Sequence, residues 1–381
     1  MNKSRSLKLA AIVAAVSLVV IPAASATTWK VGGASSVNGL MAACKAAYQK
    51  ATGDDFPYNG TGSGDGKTGL HNGSFDFAFS DSVDSAPIAG EIHLPAFVWP
   101  VAILTNLGAS NKPLTLSTET LAKIFAGKID RWNDPAIVAD NNRSVTTIIY
   151  KKDAKGQIAK DAKGAPVVLR TAVSALHRTL PDKPITVFYR TKNSGTSNNL
   201  TRAFNKLYPS IWTKAANDSF ASAFPGDITS DPAHFRGAAG SGDVANGVKA
   251  TPYSITYAEV GFADAPYNLA ITNVINAAGN SITPSSSSAM AAAAQATVAA
   301  DGTVTFDYAT KDSDAYPFTA TTYALARTNY GDKAKAAGIK ETLGYLANNC
   351  AKDNPAEGFG AYSATNAFAQ KFASQLAKLG A

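Results

Sequence analysis

The stretch FPYNGTGSGDGKTGLHNGSFDFAFSD, residues 56–81, contains the pattern that determines the fold. A short apolar segment at residues 56–59 leads into a loop of glycine, serine and threonine, and a helix is predicted from about Lys67. The apolar segment at residues 75–79 has the composition of a buried strand, and it ends beside Asp81. Strand, small polar loop, helix and strand therefore follow one another in close succession.

The same pattern occurs on either side of this stretch. Upstream, a strand at residues 29–31 leads through a Gly/Ser loop to a helix at residues 40–50. Downstream, a strand at residues 185–189 leads through NSGTS, residues 193–197, to a helix from about Asn198. Repeated strand–loop–helix units are typical of an α/β fold in which parallel strands carry ligand-binding loops at their carboxyl ends.

The composition is that of a large folded protein. Of 381 residues, 45% are hydrophobic and 17% are charged, which is enough for a buried core and for two domains. This balance excludes a disordered chain, and a content of two cysteines excludes a disulfide-dense scaffold. The four histidines and two cysteines are scattered along the sequence, so no metal site and no cofactor are predicted.

The first 26 residues have the pattern of a secretory signal peptide. Three basic residues precede an apolar run at residues 9–21, and Ala24-Ser25-Ala26 is a small-x-small cleavage signal. The apolar run is short for a bilayer span, which disfavours the alternative of an uncleaved anchor. The next residue is Thr27, so cleavage after Ala26 leaves no cysteine for a lipid anchor. The pattern predicts a soluble, exported protein.

The positive charge is concentrated in one segment. Removal of the signal peptide lowers the formal net charge from +7 to +4, since that segment carries three positive charges. Residues 143–183 contain nine Lys/Arg and three Asp, which leaves the remainder of the mature chain at −2. A nucleic-acid partner is not predicted, because nucleic-acid grooves interleave basic and aromatic residues.

The most apolar run of the mature chain divides it into two lobes. This run, FVWPVAILT at residues 97–105, is predicted to be a central strand that crosses between the lobes. A strand at residues 255–258 is predicted to return the chain to the first lobe. Lobe I is therefore expected to contain residues 27–104 and 259–381, and lobe II to contain residues 105–258.

The loops that follow three of the strands favour an anion. Their glycine, serine and threonine residues place backbone N–H groups and hydroxyls at the positive ends of helices. Arg190, at a strand end, adds a forked cationic donor. Asp81 repels an anion unless the ligand has a proton to donate, as monohydrogen phosphate has and sulfate lacks. Each feature alone is more often a turn, a cap or a surface ion pair, but together in matching units they predict an oxyanion site.

Five segments resemble the phosphate-binding proteins that serve phosphate ABC transporters in the bacterial periplasm. The longest are LAKIFAGKIDRWNDPAI at residues 121–137 and ITVFYRTKNSGTSNNLTRAF at residues 185–204. The others are VGGASSVNGLM at residues 31–41, YNGTGSGDGKTGL at residues 58–70 and DFAFSD at residues 76–81. The resemblance covers nearly the whole mature chain. It implies two α/β lobes, each a mostly parallel sheet flanked by helices, with the ligand in the cleft between them.

The resemblance also implies a set of phosphate contacts without catalysis. Ser35 stands where the family has threonine and keeps the hydroxyl, whereas Ser36 replaces a phenylalanine that contacts the ion through its backbone N–H. The implied contact residues are Ser35, Ser36, Ser63, Asp81, Arg190, Ser194, Gly195 and Thr196. The implied partners are inorganic phosphate and the permease and ATPase subunits of a phosphate ABC transporter, and the receptor itself is expected to be a periplasmic monomer.

Three other functions remain open from the sequence. They are a receptor for another oxyanion such as sulfate, molybdate or phosphonate, an exported phosphatase, and an exported adhesion protein with the same fold. A phosphatase needs a nucleophile with a base or a metal cluster, and the four histidines show no ligand spacing.

The two cysteines, Cys44 and Cys350, lie far apart in the sequence. They allow one disulfide that joins the amino-terminal and carboxy-terminal regions, or two separate buried thiols. Export to an oxidising compartment favours the disulfide.

The segment from about residue 140 to residue 178 departs from the family pattern, because it is longer and carries most of the basic charge. Strand character at residues 145–151 and 166–170 predicts a protruding hairpin, with a short helix near residues 173–177. A solvated excursion without a role is the favoured interpretation of this basic insertion.

Overall fold

The computed structural model describes residues 26–108, 112–175, 177–363 and 366–380. The expected signal peptide, residues 1–26, lies outside the described residues except for Ala26. Among the residues described, no helix is both long and apolar enough to cross a membrane.

The described ranges contain strands and helices in alternation. The strands are β1 Val31–Gly33, β2 Tyr58–Asn59, β3 Phe77–Ser80, β4 Glu91–Pro100, β5 Ala102–Asn106, β6 Thr115–Ser117, β7 Ser144–Tyr150, β8 Val168–Ala175, β9 Thr186–Arg190, β10 Phe235–Ala238, β11 Ser254–Ala258, β12 Ala270–Ile275, β13 Ser281–Ile282, β14 Thr297–Val298, β15 Val304–Thr305 and β16 Thr319–Arg327. The helices are α1 Asn38–Thr52, α2 Ser63–His71, α3 Thr118–Phe125, α4 Pro135–Asn141, α5 Gly195–Leu207, α6 Phe220–Ala223, α7 Ser241–Ala250, α8 Ser286–Ala294, α9 Lys333–Tyr345, α10 Ala351–Asp353 and α11 Ala367–Leu376.

Two main sheets organise the chain. The first has the order β2-β1-β3-β16-β4, with β1 parallel to β2 and β3, and with β16 antiparallel to both of its neighbours. The second has the order β10-β9-β11-β5-β12-β13, with β9 parallel to β10 and β11. The parallel strands β1, β2, β3 and β9 end at the loops that the sequence singled out. The predicted α/β class is confirmed.

The apolar run at residues 97–105 contributes to both sheets rather than forming one strand. It divides at Val101, so that β4 pairs with β16 in the first sheet and β5 pairs with β11 and β12 in the second. The run is buried along its whole length, which explains its unbroken apolar character. The predicted crossing between lobes therefore lies at Val101.

The sequence placed the return of the chain to the first lobe at residue 259, and the next strands still pair in the second sheet. Strands β12 and β13 follow residue 259 but belong to the second sheet, where Ala270 lies opposite Thr105 and Val274 opposite Ile282. The chain rejoins the first sheet only after Ile282. The pairing of β12 with β5 overrides the local pattern, because it completes the hydrogen bonding of a central buried strand.

The basic insertion forms an antiparallel hairpin of β7 and β8. The helix predicted near residues 173–177 is wrong, since Val173 to Ala175 extend β8 and pair with the first residues of β7. The hairpin also contacts the body of the protein. Lys152 lies 3.1 Å from Asp312, and Asn280 donates a hydrogen bond of 3.1 Å to the carbonyl of Ile148.

The disulfide that the sequence allowed is present between Cys44 and Cys350, with the two Cα atoms 5.2 Å apart. It joins α1 to the helical segment between α9 and α10. Both cysteines are buried in the main hydrophobic core. The amino-terminal helix beside the first Gly/Ser loop is thus fixed covalently to the carboxy-terminal part of the chain.

Candidate functional site

Four helices begin at the boundary between the two sheets. Helices α1 and α2 follow strands of the first sheet, and α5 and α7 follow strands of the second. Neither α1 nor α2 begins with a side-chain cap, so their first N–H groups are not satisfied in that way. The positive ends of four helix dipoles thus face one region, which favours negative charge there.

Arg190 supplies the only buried guanidinium among the site residues described here. It is the last residue of β9, and its side chain is 2% exposed. Its Nε donates to the carbonyl of Ala239 at 2.8 Å and its Nη1 donates to Ser241 Oγ at 3.1 Å. Its Nη2 has no hydrogen-bond partner within the described ranges. A buried donor of this kind is costly unless an acceptor reaches it, so the geometry calls for an anionic ligand.

Asp81 lies opposite this cation at the end of β3 and is 2% exposed. Its Oδ1 accepts hydrogen bonds from Ser36 Oγ at 2.8 Å and from Thr322 Oγ1 at 2.6 Å. Its Oδ2 accepts only a long bond, 3.4 Å, from Thr196 Oγ1. Burial raises the pKa of Asp81 to about 6, although these donors and Arg190 oppose the rise. The carboxyl is therefore mainly ionised at neutral pH, and Oδ2 keeps capacity to accept a proton.

Ser63 connects the two sides of the boundary. Its Oγ accepts hydrogen bonds from the backbone N–H groups of Asp81 and Gly195, each at 3.1 Å. A Cβ atom at Gly195 would lie 2.6 Å from Asp81 Cβ and 2.7 Å from Ser63 Oγ. Only glycine permits this close approach, which brings the start of α5 against the end of β3.

The structure brings all eight predicted contact residues together, and all are buried. Two of them have roles that the sequence did not indicate. Ser35 Oγ lies 3.1 Å from Ser241 Oγ, on the other side of the boundary. Ser194 Oγ accepts the N–H of Ser197 at 3.3 Å and so caps α5, which directs its hydroxyl to its own helix.

Three further residues complete the site and were missed in the sequence. Ser241 begins α7 within the segment FRGAAGSGD, residues 235–243, which repeats the strand–Gly/Ser–helix pattern and could have been recognised. Glu259 follows β11, and its Oε1 accepts a bond of 3.2 Å from Ser241 Oγ. Burial, with a smaller contribution from Asp81, raises the pKa of Glu259 to about 7. Neither Glu259 nor Thr322 has a local sequence signal.

An ion pair also bridges the boundary. Lys67 Nζ on α2 lies 2.9 Å from Asp218 Oδ2, and both side chains are 15% exposed. The same ammonium donates to Ser82 Oγ at 2.8 Å and to the carbonyl of Val83 at 3.1 Å. Lys67 therefore contacts both the segment that follows β3 and Asp218 of the other half, so the two halves are in direct contact.

Comparisons with known proteins agree with this architecture. Residues 20–348 match the sequence model of the PBP superfamily domain. The chain is 29% identical over 320 residues to phosphate-binding protein PstS of Xylella fastidiosa strain 9a5c, covering 82% of this chain and 75% of that protein. It is 28% identical over 327 residues to phosphate-binding protein PstS3 of Mycobacterium bovis strain BCG / Pasteur 1173P2, covering 82% and 76%.

A solved structure shares the fold. This is a high-affinity periplasmic phosphate-binding protein, PfluDING, bound with phosphate, which superimposes with a TM-score of 0.64. The match covers 92% of this chain and 93% of that chain at 21% sequence identity. At this identity the likeness establishes the arrangement of the chain, and the chemistry of the site is argued from its own residues.

Proposed function

The chain belongs to the PBP superfamily, and we propose that it is a periplasmic receptor that binds inorganic phosphate and delivers it to an ABC-type importer. The observation that carries the proposal is the buried Nη2 of Arg190, which lacks a protein acceptor in the described residues and lies where four helices begin. The names of the relatives, which are phosphate-binding proteins, support the same ligand.

The pairing of a cation with a carboxylate selects phosphate among oxyanions. Arg190 and the helix N–H groups donate to the oxygens of the ion, while Asp81 Oδ2 accepts the proton of a phosphate that carries one. Sulfate has no proton at neutral pH, so it leaves a buried carboxylate facing an acceptor, at a cost of about 1–3 kcal/mol or more. Receptors for sulfate or molybdate are therefore the less favoured alternatives.

The residues proposed to contact phosphate are those of the sequence prediction, with changed roles for Ser35 and Ser194. Ser36, Ser63, Thr196 and Gly195 belong to the hydrogen-bond network of Asp81, and their donors are proposed to turn to the ion or to be shared with it when phosphate binds. Ser35 precedes Ser36 in the sequence, and its hydroxyl lies within hydrogen-bond distance of the Ser241 hydroxyl. Ser194 acts through the helix that it caps.

The two sheets define the proposed lobes. Lobe I contains residues 27–100 and 284–381, and lobe II contains residues 101–283, which places the ion between them. The Lys67–Asp218 ion pair joins lobes I and II and stabilises the closed form. X-ray scattering should show that phosphate compacts the protein; an unchanged radius of gyration would contradict lobe closure.

We infer that the protein transports rather than transforms its ligand, as a periplasmic monomer that docks on permease and ATPase subunits. No histidine or cysteine forms a hydrogen bond to the eight contact residues in the part of the chain that the structure describes, so a nucleophile with a basic partner of these types is not assembled. Absence of phosphate release from a chromogenic phosphate ester supports the receptor, whereas turnover would support an exported phosphatase.

Calorimetric titration tests the proposed ligand. The wild-type protein should bind phosphate with one ion per chain and bind sulfate much more weakly. Arg190→Met removes the buried cation with little change of volume and should weaken phosphate binding by about 3–5 kcal/mol, roughly 100-fold or more. Arg236→Met, at an exposed position of β10 in the same sheet, is the matched control and should bind like wild type. Equal affinities in the two variants would place the site elsewhere.

A further inference from the structure

A second cluster of polar side chains lies at the other end of α2. His71 is the last residue of this helix, and its Nε2 lies 2.9 Å from Asp84 Oδ2 and 2.9 Å from Glu91 Oε2. Asp84 is 7% exposed and the side chain of Glu91 is fully buried. One imidazole nitrogen carries at most one proton, so it cannot donate fully to both carboxylates.

A backbone N–H group donates a hydrogen bond to one oxygen of each carboxylate. Asp84 Oδ1 accepts the N–H of Ala86 at 2.9 Å, and Glu91 Oε2 accepts the N–H of Ile88 at 3.2 Å. Of their other oxygens, Asp84 Oδ2 has only its 2.9 Å approach to His71 Nε2 among the described residues, and Glu91 Oε1 is buried without a hydrogen bond there, 3.7 Å from His93 Nε2. Two buried acids that share one imidazole are expensive to maintain unless further positive charge reaches them.

The geometry matches a metal site. Ligand atoms of His71, Asp84 and Glu91 all lie within 4.8 Å of one another. A tetrahedral zinc ion with bonds of about 2.0–2.2 Å places its ligand atoms roughly 3.3–3.5 Å apart, so side-chain shifts on the order of 1 Å bring these atoms to that spacing. We propose that His71, Asp84 and Glu91 form a binding site for a divalent transition metal ion of the Zn²⁺ type, with water as the fourth ligand.

The linear sequence does not reveal this site. His71, Asp84 and Glu91 belong to no short metal-binding motif, and the scattered histidines led to the expectation of no metal. The cluster forms because α2 packs on β3, while the turn after β3 brings Asp84 back toward the start of β4. The site is separate from the anion cleft, because Ser63 and His71 are the two ends of one helix, about 12 Å apart.

The proposed ion has a structural role in lobe I. It connects the end of α2, the turn after β3 and the first residue of β4. That turn begins only three residues before Asp84, at Asp81, which belongs to the anion site. Metal binding is therefore expected to stabilise the segment that carries Asp81, and its primary readout is thermal stability rather than ligand binding.

Zinc titration of the whole protein tests the proposal. The untagged protein is stripped with EDTA, transferred to phosphate-free buffer and titrated with Zn²⁺ by calorimetry. Wild type should bind one ion per chain, and Zn²⁺ should raise its melting temperature. His71→Gln should weaken binding by at least about 10-fold and remove the thermal effect. His177→Gln, an exposed histidine in the chain, is the matched control and should behave like wild type.

A second variant keeps the test decisive. Glu91→Gln removes a second proposed ligand and should also weaken Zn²⁺ binding. Because Glu91 is buried, the circular dichroism spectrum of this variant is first compared with that of wild type. The His71 side chain is 29% exposed and tolerates substitution more readily. If His71 serves only as a hydrogen-bond partner of Asp84 and Glu91, Zn²⁺ neither binds to the protein nor raises its melting temperature. That result, or equal Zn²⁺ affinity in wild type and His71→Gln, would overturn the proposal.

Discussion

The substitution Asp81→Asn tests how the cleft distinguishes phosphate from sulfate. Asp81 Oδ1 is already occupied by Ser36 and Thr322, so Oδ2, with its single 3.4 Å bond from Thr196, is the atom that meets the ligand. Asparagine keeps an oxygen acceptor at the place of Asp81 Oδ1 and puts an amide N–H donor at the place of Oδ2. One hydrogen bond to a charged group contributes about 1.5–3 kcal/mol. Sulfate should therefore bind roughly 10- to 150-fold more tightly to the variant.

The pH dependence gives a sharper form of the same prediction. Because burial raises the pKa of Asp81 to about 6, the carboxyl is ionised at pH 8 and largely protonated at pH 5. The protonated carboxyl has an O–H to donate, so wild type should bind sulfate more tightly as the pH falls through about 6. Sulfate keeps its charge throughout this range, and Asp81→Asn, which does not titrate, should show a much flatter profile.

Competition titration between pH 5 and pH 8, at fixed ionic strength, measures both effects. Asp65→Asn is the matched control, since this carboxylate lies in the first turn of α2 and is 54% exposed. If the ratio of sulfate to phosphate dissociation constants is the same in wild type and Asp81→Asn, or if wild-type sulfate affinity is independent of pH, Asp81 does not select the ligand.

Three other outcomes are expected. Lys67→Met should weaken phosphate binding by several-fold to about 10-fold, because it removes a partly buried ion pair across the lobes. A double-mutant cycle with Asp218→Asn should show strong coupling, and additive effects would contradict closure through this pair. Replacing Cys44 and Cys350 by serine should lower the free energy of unfolding by about 2–5 kcal/mol in denaturant titration without changing phosphate affinity. Glu259→Gln should tighten phosphate binding relative to wild type, and more at pH 8 than at pH 6. The reason is that the raised pKa of about 7 leaves the Glu259 carboxylate mainly charged at the higher pH and mainly neutral at the lower one. An equal effect at both pH values in calorimetry would show that the charge of Glu259 does not oppose phosphate binding.

Local signals in the sequence predicted well the features that neighbouring residues determine. The helix predicted at residues 40–50 was recognisable because its helix-forming residues lie within one short segment, and the structure has α1 at Asn38–Thr52. The Gly/Ser loops were recognisable for the same reason. Ser241 was also visible in this way, since its segment repeats the pattern of the other three loops.

Features that depend on distant pairing could not be predicted locally. The membership of β12 in the second sheet depends on its pairing with β5, more than 160 residues upstream, which the local sequence near residue 259 does not show. The helix expected near residues 173–177 is a strand because the partner strand β7 supplies its hydrogen bonds. Glu259 and Thr322 reach the anion cleft, and His71, Asp84 and Glu91 meet, only through the packing of separate elements.

The most direct test of the account is a crystal structure of the wild-type protein grown with phosphate at neutral pH. The account predicts one tetrahedral ion between the two sheets, with an oxygen within hydrogen-bond distance of Arg190 Nη2 and another facing Asp81 Oδ2. A phosphate ion bound away from Arg190, or Arg190 Nη2 still without an acceptor while phosphate is bound, would contradict it.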